Sequence, residues 1–232
     1  MALRRSAHKK EAPPSARQAQ KAATASRILQ IARDHFERDG FAAANLRAIA
    51  AEAEVAPGTI LLHFTDKTGL LHAALHSDLD SAIDRSLRAP RGRSLLQRLC
   101  AVVRPFFDYY AARAGLSKTL LRESLLAESP WRERFSEQVL RVQSRVAALI
   151  EQAKTQGELS PAASTPLLST AFLSFYYLSL IGWVQEAVAD PQALFKGLMA
   201  QHLRGCSPDL PRTAAATRRR SATSMQKRSR SG

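Results

Sequence analysis

Residues 45–64, NLRAIAAEAEVAPGTILLHF, hold two short apolar-periodic stretches separated by a tight turn. Asn45 is a favoured N-cap residue, and behind it Leu46, Ile49 and Ala50 recur at helical spacing on one face. Val55 supplies an apolar plug in the turn. Pro57 suits a first helical position, and Ile60 and Phe64 are four residues apart, so both can face inward. Two short helices joined in this way are a device for laying one helix in the major groove of DNA. The face opposite Ile60 and Phe64 carries Gly58, Leu61 and Leu62, with Thr59 and His63 beside it. So small a unit cannot bury them all.

The flanks complete a unit around this pair. Upstream, Thr24 to Arg38 repeats apolar residues at Ile28, Leu29, Ala32 and Phe36 and stops at Gly40, which predicts a preceding helix. Downstream, Asp66 can cap a long helix whose Leu71, Leu75, Leu79, Ile83 and Leu87 run down one side until Pro90. The expectation is a trihelical unit followed by a long connector helix.

Residues 24 to about 80 resemble the DNA-binding domain of the TetR family of bacterial transcriptional regulators. The resemblance is carried by Arg27-Ile28-Leu29, Ala32, Phe36, Gly40-Phe41, Leu46, Ile49-Ala50, Val55, Gly58-Thr59-Ile60, His63-Phe64, Lys67 and Leu70-Leu71. It has two departures: the family usually places Ser where this chain has Ala56, and Tyr where it has Leu61. The first removes a helix cap; the second removes a phenol that similar proteins point at the DNA backbone.

Side-chain chemistry distributes the expected roles at DNA. Arg47 can offer a bidentate fork to guanine, at a position that matches a base-reading one in similar proteins. Asn45, Thr59 and His63 carry short donors suited to phosphate oxygens, and Lys67 at a helix start is the foremost phosphate ligand. Pro57 and Gly58 ease helix entry, while Leu61 and Leu62 can pack on thymine methyls. The readout expected is weighted toward methyl contacts and shape.

The net charge of +14 is placed unevenly. Residues 1–23 carry six basic side chains against one acidic, and residues 207–232 seven against one, whereas residues 24–89 carry seven basic against nine acidic. The motif's own unit is therefore slightly acidic. Both tails are poor core formers, so residues 1–21 and 206–232 are expected as basic disordered arms. An arm ahead of the first helix can follow the phosphate backbone, and its removal would flatten the salt dependence of binding.

Residues 94–205 read as helical throughout, with no strand-like alternation. One helix is expected from Leu95 to about Gly115, a second capped by Ser117, and a third opening at Pro130 and ending near Gly157. Pro166 to Gln185, PLLSTAFLSFYYLSLIGWVQ, is twenty residues without a charge, long enough for a membrane span. Its Ser, Thr and Gln and its mid-segment aromatics favour a helix buried on two sides instead, by its own domain and by a second copy.

The fold class expected is all-α: a helix-turn-helix domain over residues 22–88, with the motif at about 45–64, joined by the connector helix to a C-terminal bundle over 92–205 that dimerises. The resemblance implies a four-helix dimer interface from residues 165–189 and 191–204 of each copy, with Phe172, Tyr177, Leu180, Trp183, Val184 and Leu198 in it. It also implies a small-molecule pocket inside the bundle, for which Cys100, Arg104, Phe107, Tyr110, Trp131, Phe175 and Tyr176 are the candidates. The partners expected are double-stranded DNA with a near-palindromic operator, a small-molecule effector and a second copy of the chain, with no membrane.

Other chemistry finds no support. His72, His76 and Asp80 share a helix stripe whose ligand types suit a metal, but no second cluster supplies a fourth ligand, so no metal site is assigned. Cys100 and Cys206 lack metal-like spacing and a disulfide framework is not expected. There is no nucleophile elbow or phosphate loop, hence no catalytic residue, cofactor or enzyme activity is expected. With no apolar run in residues 1–23, a cleaved signal is not expected and the cytoplasm is. The function implied is a transcriptional regulator, a repressor released by its effector; the alternative is a sequence-tolerant DNA-coating protein acting through its basic tails.

Overall fold

A computed structural model describes residues 15–88 and 92–208. Among them are nine helices and no strand: α1 (Ala16–Ala43), α2 (Leu46–Glu52), α3 (Pro57–Phe64), α4 (Lys67–Leu87), α5 (Leu95–Ala111), α6 (Ala114–Leu125), α7 (Trp131–Thr155), α8 (Thr165–Val184) and α9 (Pro191–Arg204). The all-α class expected from the periodicities is the one observed.

α1 begins earlier than expected. Ser15 accepts the Gln18 N–H while the Gln18 side chain accepts the Ser15 N–H, a capping box ahead of the Ala-rich run AQKAATA. Residues 16–21, assigned to a disordered arm, are thus the first turns of α1. The remainder of that arm and most of the C-terminal tail lie outside the described residues. At its other end α1 is interrupted at Gly40, whose φ of 76° and ψ of 161° are readily reached without a Cβ.

Around this helix the N-terminal core is compact: Ile28, Ala32, Phe36, Ile49, Ala50, Ala53, Ile60, Leu70, Leu71 and Leu75 are all buried. α4 then leaves the trihelical unit, and its Ala82 and Ile83 are buried where it packs on α5 and α7. One helix therefore belongs to both cores. A charged cluster seals the junction: Asp78 of α4 accepts Arg33 Nε of α1 at 2.7 Å and the Tyr109 hydroxyl of α5 at 3.2 Å. Arg113, just before α6, bonds Glu37 of α1 at 2.6 Å and stacks over the Tyr109 ring at 4.4 Å.

In the bundle, Ser117 does not cap α6. It lies buried inside that helix and donates to the Tyr110 and Arg113 carbonyls, because α6 opens three residues earlier at Ala114. α8 is long and apolar enough to cross a membrane by length and composition, yet it packs against α6, α7 and α9. Leu168, Phe172, Tyr176 and Leu180 form its inward stripe, while Leu167 (69% exposed) and Leu178 (55%) face out. Two residues assigned to the dimer interface, Phe172 and Leu180, are therefore core of their own subunit, and Tyr177 lines an internal cavity. Trp183, Val184 and Leu198 remain half-buried. In a helix apolar nearly all round, periodicity cannot say which face turns inward.

Candidate nucleic-acid interface and bundle cavity

α2 and α3 meet through the turn Ala53–Ala56, in which Glu54 has a φ of 52° and the Val55 N–H bonds the Ala50 carbonyl at 3.0 Å. Asn45 caps α2 by accepting the Arg47 N–H at 2.8 Å, which commits its carbonyl oxygen but not its carboxamide N–H groups. Ala56 precedes α3 with no side-chain cap, and Pro57 occupies the first turn, where no N–H is required. Ile60 is fully buried on the side of α3 that packs on α2 and α4, which leaves the other side of α3 to solvent.

That outer surface carries Pro57, Gly58, Leu61 and Leu62, with Leu62 79% exposed. Beside it Asn45 and Arg47 are exposed at the start of α2, and Arg47 forms no ion pair among the described residues. All six of these residues are exposed, and Thr59 is half-buried. Two leucines so exposed, with no packing partner over them among the described residues, favour a surface that covers them.

Two candidate residues are placed otherwise. The Lys67 ammonium donates to the carbonyls of Ala42 at 2.9 Å and Ala44 at 2.8 Å and sits 4.9 Å from the centroid of the Phe41 ring. It clamps the chain leaving α1, so the foremost phosphate ligand of the sequence reading has two of its three donors spent inside the domain. Lys67→Met is accordingly expected to lower the unfolding free energy by about 1–2 kcal/mol while leaving the salt slope of DNA binding unchanged. Urea denaturation and binding titrations across a salt series measure both; a slope shallower by one phosphate contact would restore the phosphate role. His63 is half-buried and turns into a cleft shared with Asp66, His72, Trp131 and Arg134, facing α7.

Gly69, which sequence reading passed over, is what lets α3 and α4 join so closely. A Cβ there would come within 2.1 Å of the Phe64 carbonyl oxygen, and the Asp66 carboxylate caps the Gly69 N–H at 2.6 Å. A glycine in a helix's first turn carries no periodic signal. Only the fold shows why it is needed.

Behind the motif, the bundle holds a partly open cavity of about 70 Å³ between α4, α5, α6, α7 and α8. Tyr110 and Tyr176 of the expected pocket set line it, along with Leu79, Ile83, Val103, Phe106, Ser124, Phe135, Gln138, Val139, Val142, Phe172, Leu173 and Tyr177. The other five candidates are elsewhere. Arg104 is exposed, Phe107 packs between Tyr176 and Phe195, Phe175 lies 5.6 Å from the His202 ring, Trp131 lines the α3–α7 cleft, and Cys100 is half-buried with its thiol pushed up by burial. Gln138 was missed because a lone glutamine on an apolar helix face reads as solvated. Burial pushes the Tyr110 and Tyr176 phenols well above the ordinary tyrosine range, so both stay neutral.

The histidine stripe is also accounted for. His72 Nε2 meets Glu123 at 2.9 Å, His76 packs tilted against Trp131 and Phe135, and His76 Nδ1 is 3.6 Å from Asp80. Among the described residues no group of three or more His, Cys, Asp or Glu converges as a metal set would.

Comparison with known proteins gives this geometry a context. The family model described as "Bacterial regulatory proteins, tetR family" matches residues 28–74, which is α1 from Ile28 through most of the first half of α4. The HTH-type transcriptional regulator UidR of Escherichia coli K12 is 26% identical over 181 residues, covering 76% of this chain and 90% of that protein. Among solved structures, the transcriptional regulator FadR of Bacillus subtilis in complex with stearoyl-CoA superposes with a TM-score of 0.60 at 19% identity, over 78% of this chain and 98% of that one. Salmonella enterica GusR does so with a TM-score of 0.57 at 18% identity, over 78% and 96%. A TetR transcription regulator from Haloarcula marismortui reaches 0.65 at 14% identity, over 80% and 98%. The exposed helix-turn-helix lies within the residues that match the TetR family model, and the whole helical fold, with its connector helix, is similar to that of these regulators.

Proposed function

We propose that this chain is a homodimeric repressor that occupies a near-palindromic operator and leaves it when a small molecule enters the bundle cavity. Residues 22–88, extended upstream by the first turns of α1, act on DNA; residues 92–205 take the effector and pair two copies. The observation that carries the reading is α4: one helix begins beside the recognition surface and ends as a wall of the cavity through Leu79 and Ile83. A ligand that displaces that wall moves the motif with it.

Dimerisation is supported by the apolar surface left over. Leu167 and Leu178 on α8 and Leu140 on α7 are exposed large hydrophobic side chains, and covering them needs a second surface. Two copies also present two motifs to two half-sites, which is how short recognition helices obtain specificity. The cytoplasm is the compartment this activity requires.

At the DNA, Arg47 is assigned to base reading, Leu61 and Leu62 to thymine methyls, and Asn45, Thr59 and the backbone N–H of Gly58 to phosphates, with Pro57 fixing the entry of α3 beside them. Arg47→Ala is expected to cost about 1–3 kcal/mol at one base pair per half-site and to relax preference there alone. A selection of bound sequences from a randomised library reads this directly, and an unchanged preference removes Arg47 from the readout. The whole reading is tested by selecting genomic fragments with the purified protein and footprinting those retained. A symmetric footprint upstream of a gene supports it. Failure to enrich any fragment overturns it in favour of sequence-tolerant coating by the basic tails.

A further inference from the structure

We infer that the bundle cavity takes an uncharged, mostly apolar molecule carrying a hydrogen-bond donor, and that Gln138 Oε1 receives that donor. The inference rests on reading this cavity as the effector site and adds the chemistry of what enters it. None of the residues lining the cavity is charged, and its surface comes chiefly from aliphatic and aromatic side chains of α4, α5, α7 and α8. A carboxylate, phosphate or ammonium carried into such a place would lose its hydration with no counter-charge to replace it. An apolar ring or chain loses nothing there.

Gln138 breaks the apolar lining at one point. It is 5% exposed, its Nε2 donates to the His76 carbonyl of α4 at 2.9 Å, and its Oε1 is buried with no hydrogen-bond partner among the described residues. A buried amide oxygen without a donor is an uncommon expense, and a ligand hydroxyl or N–H aimed at it recovers the lost bond. Tyr110 and Ser124, whose hydroxyl oxygens are 3.4 Å apart, add a second polar corner. Tyr176 and Phe106, with ring centroids 5.9 Å apart, offer aromatic edges for a planar molecule.

Size gives the site its leverage. At about 70 Å³ the cavity is smaller than the roughly 150 Å³ void that accepts a benzene ring in an engineered core. A ligand of one ring or more that seats fully inside must therefore spread the helices, and Gln138 joins α7 to α4 where they would part. The same amide that receives the ligand is bonded to the connector helix.

The test uses the full chain with leucine and valine methyls labelled for NMR, so that Leu79, Val103, Val139 and Val142 report on the cavity. The probes are phenol, anisole, toluene and benzoate. Phenol is expected to shift these methyls and to bind about tenfold more tightly than anisole or toluene, with benzoate weakest. In Gln138→Met the advantage of phenol should fall to less than about twofold. Benzoate matching phenol, phenol matching anisole, or no probe moving these methyls would each overturn the proposal, and all three are read on the unaltered chain, with no variant that has to fold. Retention of the selected DNA fragment is measured in parallel. Phenol bound as described with DNA affinity unchanged sinks the effector reading alone, whereas DNA release by benzoate through the same methyls sinks the ligand class alone.

Discussion

Phe172→Ala is expected to lower the unfolding free energy by about 3–5 kcal/mol, the cost of deleting a buried aromatic from a core that relaxes only partly. Phe172 is 1% exposed, meets Phe195 of α9 edge-on with centroids 5.4 Å apart, and forms part of the cavity wall. With Leu168, Tyr176 and Leu180 it docks α8 on its own subunit. Its removal joins a new void to the existing cavity, so the variant should also accept bulkier apolar ligands than the unaltered protein. Chemical denaturation and ligand titration measure the two effects. A loss below about 1 kcal/mol, coupled to weaker dimerisation, would mean that Phe172 faces the partner instead, as its place in an uncharged helix first suggests.

Asp78→Ala is expected to cost about 2–3 kcal/mol, below the full value for breaking a buried pair because the cluster keeps some contact with water. The substitution strands Arg33 Nε, which Asp78 now accepts at 2.7 Å, and removes the partner of the Tyr109 hydroxyl. Arg113 loses a carboxylate at 3.9 Å but retains Glu37 at 2.6 Å, which limits the damage. The larger consequence concerns communication. Tyr109 touches this cluster, and the next residue, Tyr110, lines the cavity, so one turn of α5 links the ligand's surroundings to α1 and α4. In Asp78→Ala the fold-change in DNA affinity caused by ligand should shrink by a factor of about five or more. A double-mutant cycle with Arg113→Ala separates the pair from its neighbours: strictly additive losses would dissolve the network into independent contacts.

The legible and the illegible parts of this chain divide by range of interaction. The N-cap of α2 at Asn45, the uncapped entry of α3 at Ala56, the break at Gly40 and the inward Ile60 all follow from residues a few positions apart. Even the missed start of α1 was local, since Ser15 and Gln18 are a capping box that precedes no strongly apolar run and so drew no notice. Lys67 is a different case. Its carbonyl partners lie 23 and 25 residues upstream, so nothing near it in sequence reveals that its ammonium is engaged.

The amino-acid sequence determined that this protein is helical, where its helices turn, and that residues 45–64 form a helix-turn-helix with an unusually apolar outer face. Those features arise from backbone capping, side-chain periodicity and turn chemistry, each complete within one or two helical turns. Only the tertiary structure decided which stripe of α8 is core, that Gln138 rather than Arg104 is among the polar groups lining the cavity, and that Lys67 binds its own chain. Each depends on which distant helix lies alongside, and an apolar helix or a long flexible cation is compatible with several neighbours until packing selects one.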